Sequence, residues 1–156
     1  MRISLPSETE KELTKIVKLI VQQNGKIDII SDTTLDSVIA SYILIRTLKT
    51  LKKDTRLKFI APDSEEKLRY ENLKENFTIL IDFDRLETDF PDVSSAENVV
   101  PQILLIATHT LFNIRKIKNH PLLKVVTGNL LLDDELVSNS LIAFLISEII
   151  DAKRNK

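Results

Sequence analysis

Two short runs, residues 77–83 and residues 103–107, are mostly apolar, and a third, Ile27-Asp28-Ile29-Ile30-Ser31, is short and rich in β-branched side chains. A strand with one face in water alternates apolar with polar residues. A strand that is apolar throughout must be covered on both faces, which is the situation in a parallel sheet. Parallel strands also need crossover connections, and segments with helical spacing lie between these runs. The pattern predicts an α/β fold: a single parallel-sheet domain of 156 residues with helices on both faces.

The remaining elements follow from periodicity. Residues 7–23 place Leu13, Ile16, Val17, Ile20 and Val21 on one helical face, with Ser7 and Glu10 as a capping box and Gly25 as the stop. Residues 35–53 read as a second helix with Leu35, Val38, Ile39, Tyr42 and Ile43 facing inward. A strand is expected at 57–61, a helix at 64–75, a solvated acidic connector at 84–98, a strand at 122–126 and a helix at 133–150.

Composition excludes several classes of chemistry. There is no cysteine, so disulfides, thiolate metal sites and Cys nucleophiles are ruled out, and a reducing compartment inside the cell is expected. Only Gly25 and Gly128 are glycines, too few for a P-loop or a dinucleotide-binding fingerprint. A net charge of -1 gives no overall field for nucleic acid or anionic lipid, and every apolar run is shorter than a membrane span. Either of the two histidines, His109 and His120, could complete a metal site only together with carboxylates.

In open parallel sheets, functional groups gather beyond the carboxyl ends of the strands. Here those positions carry Ser31-Asp32-Thr33-Thr34-Leu35-Asp36, Asp82-Phe83-Asp84 and Thr108-His109-Thr110. In order and spacing this series resembles the N-terminal domain of the DHH phosphoesterases, the group containing the RecJ exonucleases, over nearly the whole chain. The family's first motif, Asp-x-Asp-x-Asp-Gly, falls on Asp32, Thr34, Asp36 and Ser37. Its second, an aspartate closing an apolar strand, falls on Asp82. Its third, Asp-His-His, falls on Thr108, His109 and Thr110, where only the central histidine is kept.

The resemblance implies a degraded two-metal centre. Such a centre needs carboxylates bridging two ions, and threonine cannot replace one. With ligands lost at Thr34, Thr108 and Thr110, the resemblance implies a domain without catalysis, cofactor or metal, in which Asp32, Asp36, Asp82 and His109 are vestigial. It also implies that the second, substrate-gripping domain is missing. Inactive RecJ relatives in archaea and eukaryotes serve the replication fork, so the implied partners are the GINS complex and the MCM helicase.

Structural roles are also available to these residues. Asp32 is placed to cap the second helix, Asp36 lies in its favoured first turn, and Asp82 with His109 could form a hydrogen-bonded pair. Two rival functions remain. Ile79 to Asp84 resembles the strand and Asp-x-Asp of haloacid-dehalogenase-like phosphatases, with Asp82 as nucleophile, Asp84 as acid/base, and Thr108, Lys116 or Lys118, Asp133 and Asp134 as later motifs. However, Arg85-Leu86 stands where that family has Gly-Thr. Alternatively, Lys49, Lys52, Lys53, Arg56 and Lys58, or Arg115, Lys116, Lys118 and Lys124, could hold single-stranded DNA weakly.

Overall fold

The structure, a computed structural model, describes residues 5–83, 85–87, 89–108, 115–128 and 137–155. Its elements are α1 (Ser7–Val21), β1 (Ile27–Ser31), α2 (Leu35–Thr50), β2 (Thr55–Phe59), a 3-10 turn (Tyr70–Asn72), β3 (Phe77–Ile81), β4 (Ile103–Ala107), β5 (Leu123–Thr127) and α3 (Asn139–Arg154). All five strands are parallel, in the order β2-β1-β3-β4-β5. The chain leaves β1 to one side for β2 and returns to the other for β3, so the order reverses between β1 and β3. A crevice opens at such a point beyond the carboxyl ends of the strands.

Every residue of β1, β3 and β4 is buried, as both-face coverage requires. On one face, Leu13, Ile16 and Ile20 of α1, Leu44 and Leu48 of α2, and Ile142 and Ile146 of α3 pack on Ile29, Ile79, Leu104 and Ile106. On the other, Ile30, Leu80, Ile103 and Leu105 are covered by Ile60, Leu68, Leu73, Phe83, Leu86 and Ile117. Those covering residues come from turns, loops and the isolated bridge between Leu68 and Leu86. The expected α-helices on both faces are therefore found on one face among the described residues. In place of a helix over 64–75, the Leu68 N–H donates to Arg85 O and its carbonyl accepts from Glu87 N, a long-range bridge that an α-helix could not make.

Other expectations shift in detail. Strand β2 begins two residues earlier than expected and β5 one residue later. Pro6, not Ser7, is the N-cap of α1, with no side-chain cap, and Val21 is exposed. Gly25 has no left-handed φ, so the helix stop does not depend on it. The largest change concerns α2. Its buried residues are Ser37, Ala40, Ser41, Leu44, Thr47 and Leu48, whereas Leu35, Val38, Ile39 and Tyr42 are exposed. Small hydroxyl residues satisfy themselves beneath the helix, Ser41 donating to Ser37 O and Thr47 to Ile43 O, and this lets α2 approach its neighbours closely.

Candidate functional site

Ser31 of β1 is in register with Ile81 of β3, so Asp32 and Asp82 each stand one residue past paired positions on strands about 4.8 Å apart. Both are half-buried and both emerge at the reversal point of the sheet. The backbone N–H of Asp32 donates to Ile81 O, and that of Asp82 to Ile106 O at 2.8 Å, extending the ladder beyond the strands. Asp82 adopts φ 52°, the left-handed region, which costs a non-glycine residue roughly 1–2 kcal/mol. Aspartate tolerates it better than most residues, and its Oδ1 is buried. Beside it, Thr108 is half-buried past β4, and Thr127 is fully buried at the end of β5.

The loop after β1 is organised by hydroxyls. Asp32 Oδ1 accepts the N–H of Thr34 at 3.1 Å and its hydroxyl at 2.9 Å. With its proton given to Asp32, the Thr34 hydroxyl accepts the Ser37 N–H at 3.4 Å and lies 3.0 Å from the Ser37 hydroxyl. Thr34 is thus the N-cap of α2. Asp32, expected to cap that helix, instead orients the residue that does.

Asp36 faces another element altogether. Its Oδ2 accepts the N–H of Asn139 at 2.7 Å, and its Oδ1 accepts the N–H of Ser140 at 3.1 Å and the Ser140 hydroxyl at 2.5 Å. The local cap Ser138 takes the N–H of Leu141 at 3.1 Å. Together these satisfy three donors that a helix start leaves open, and the carboxylate sits at the positive end of the α3 dipole. Next to it, the fully buried Asn139 amide makes no side-chain hydrogen bond among the described residues, a cost of roughly 1–3 kcal/mol per unsatisfied group.

His109, Thr110, Asp84, Asp133 and Asp134 lie outside the described residues, so the Asp82–His109 pairing does too, as do three members of the phosphatase-like set. His120 holds the connector: Nδ1 accepts the Leu122 N–H at 3.2 Å, which leaves Nε2–H to donate to Pro91 O at 3.1 Å. Its ring packs at a tilt against Phe90, centroids 4.9 Å apart, and Phe90 meets Tyr70 at 5.3 Å. The connector is solvated as expected over residues 94–98 and is anchored to the second face of the sheet at Leu86 and Phe90, with Asp92 held below the usual carboxylate range by the Ser94 N–H.

Several residues of the basic runs are already engaged. Arg56 grips the mostly buried Asp28 with two bonds of 3.0 and 2.7 Å, joined by Asn76 Nδ2 at 3.1 Å. Lys58 pairs with Glu66, Lys124 with Glu12 at 3.0 Å, and Lys53 donates to the carbonyls of Val21 and Gln23. The Asp28 network was not anticipated; its signal is the lone charge within an otherwise apolar strand.

Among the described residues, no three or more His, Asp or Glu side chains gather as a metal site. Of the first-motif carboxylates, Asp36 has both oxygens engaged by α3, and Asp32 Oδ1 accepts two bonds from Thr34.

Comparison with solved structures places the fold. The chain is similar to RecJ in complex with Mn2+ from Thermus thermophilus, with TM-score 0.60 and 17% identity over 99% of this chain and 22% of that one. It is likewise similar to an exonuclease RecJ bound to manganese, with TM-score 0.65 and 18% identity over 98% of this chain and 40% of that one. It thus spans well under half the length of either. No protein-family model matches the chain, and no curated protein does. The likeness shows a RecJ-like fold.

Proposed function

We propose that this RecJ-like domain is a non-catalytic binding subunit of the DNA replication fork, which holds the GINS complex and supports the MCM replicative helicase. The observation that carries the reading is the commitment of Asp36. A first-motif carboxylate with all its contacts on a helix end, next to threonine at the middle ligand position, favours retention of the fold for a purpose other than hydrolysis. Inactive RecJ relatives fill that purpose in archaea and eukaryotes, the eukaryotic one being cell division control protein forty-five, and the partners are taken from that likeness.

Single-strand binding is the weaker alternative, because Lys53, Arg56, Lys58 and Lys124 are engaged within the fold and the net charge is -1. No helix among the described residues is long and apolar enough to cross a membrane.

The test is a tagged pull-down from the native organism, washed at moderate salt to remove purely electrostatic contacts. Recovery of GINS and MCM subunits is expected; recovery of neither overturns the assignment. In parallel, manganese-dependent release of nucleotides from single-stranded DNA should stay at background. Release that disappears in Asp82→Asn would establish an active nuclease instead.

A further inference from the structure

Helix α2 shows its large apolar side chains to solvent. Leu35 is 76% exposed, Tyr42 61%, Ile39 43% and Val38 38%, and on the adjacent α3 Phe144 is 39% and Leu141 37% exposed. Positions 35, 38, 39 and 42 form one helical stripe, and a groove of about 270 Å3 between the helices, lined by Tyr42, Ile43, Arg46, Phe144, Ser147 and Asp151, joins it to α3. From their exposed fractions the six apolar residues leave on the order of 600 Å2 open, at the upper limit for a monomer. With Arg46 and Asp151 added, the face approaches the roughly 800 Å2 that each partner contributes to a stable interface.

We propose that this face joins two copies of the chain in a two-fold dimer, α2 and α3 of each copy closing into a four-helix layer. The occupant is read from the self-complementarity of the face. The two helices run in the same direction: their first turns are held together through Asp36, and further along the Ser147 hydroxyl donates to that of Thr47 at 2.9 Å, the Thr47 proton being given to Ile43 O. A two-fold axis along the groove therefore lays α2 of one copy on α3 of the other. Arg46 on α2 and Asp151 on α3 flank one groove with opposite charges, so the same rotation brings each Arg46 to the Asp151 of the other copy. Arg46 stands over the Tyr42 ring at 5.8 Å, at the rim where such a pair forms. A net charge of -1 leaves little overall repulsion between copies.

Sedimentation velocity of the full chain from low to high micromolar concentration should show a concentration-dependent shift to twice the monomer mass. Ile39→Glu with Tyr42→Glu should remain monomeric while keeping the native circular dichroism spectrum. Arg46→Glu and Asp151→Arg should each weaken the dimer by about tenfold or more through like-charge contacts. Mixing these two variants should restore it, because each charge then meets its opposite. A monomer at every concentration overturns the proposal, even if another protein binds the face. So does a dimer that survives Ile39→Glu with Tyr42→Glu, or a mixture of the charge variants that stays as weak as either alone.

Discussion

Three donors from one helix end converge on Asp36 across 103 and 104 residues of sequence. Charge-assisted bonds of this kind outweigh neutral ones, and removing the acceptor would leave helix N–H groups open in a half-buried place. Asp36→Ala should therefore lower stability by about 2–4 kcal/mol in urea denaturation. A carboxylate kept only to bind metal would, when removed from the metal-free protein, leave stability unchanged or raise it. Sequence spacing located Asp32, Asp36 and Asp82 at the strand ends, but it carried no information on where the Asp36 oxygens point, because their donors belong to the last helix. The cap of α2 was misplaced for a more local reason: Asp32 and Thr34 are both good capping residues, and only the backbone path gives the role to Thr34.

Glu12 offers a titration at the same scale. Its hydrogen bonds to Lys15 and Lys124, the latter on β5, hold its carboxyl below the ordinary value of 4.5. With the folded value depressed, the stabilisation is fully present above 4.5 and is lost as pH falls through the folded value. Glu12→Gln should thus flatten the acid limb of a stability-versus-pH curve below that point and leave its slope at neutral pH unchanged.

At the scale of elements, the strands were the most legible part, since runs such as Ile103 to Ala107 can only be buried on both faces. The facing of α2 was not, because apolar residues surround much of this helix and periodicity alone does not choose a side. Close approach to the sheet and to α3 chooses it, placing Ser37, Ala40 and Ser41 beneath and the larger side chains outside. Ser41→Leu, which makes the helix more apolar, should accordingly destabilise the protein by about 1–3 kcal/mol through overpacking. Thermal denaturation checks this; an unchanged midpoint would mean that Ser41 lies on the surface. The failed helix at 64–75 has a comparable cause, since its backbone pairs with Arg85 and Glu87, and no local propensity reports a bridge of that kind.

Across the whole molecule, the class of fold was legible in the alternation of strands and helices, and the crevice in the residues that follow the strands. What each face would be covered by was not, because turns and a pinned connector bury Leu80 and Leu105 as completely as helices would. The proposed binding role depends on surfaces, and a surface is defined by residues that distant parts of the chain leave uncovered. For that reason the Leu35-to-Phe144 face emerges only from the assembled structure.

The helical layer also has an order in time. α3, the last of the described elements, packs mainly on α2 and also on α1, and Ile142, Leu145, Ile146 and Ile150 fill the centre of the core. During synthesis, at about 5–20 residues per second, the earlier strands and helices emerge with that place vacant and their apolar faces open to water. The nascent chain cannot close its core until this helix arrives. A ribosome that stalls before residue 139 would leave a chaperone-dependent chain rather than a smaller folded protein.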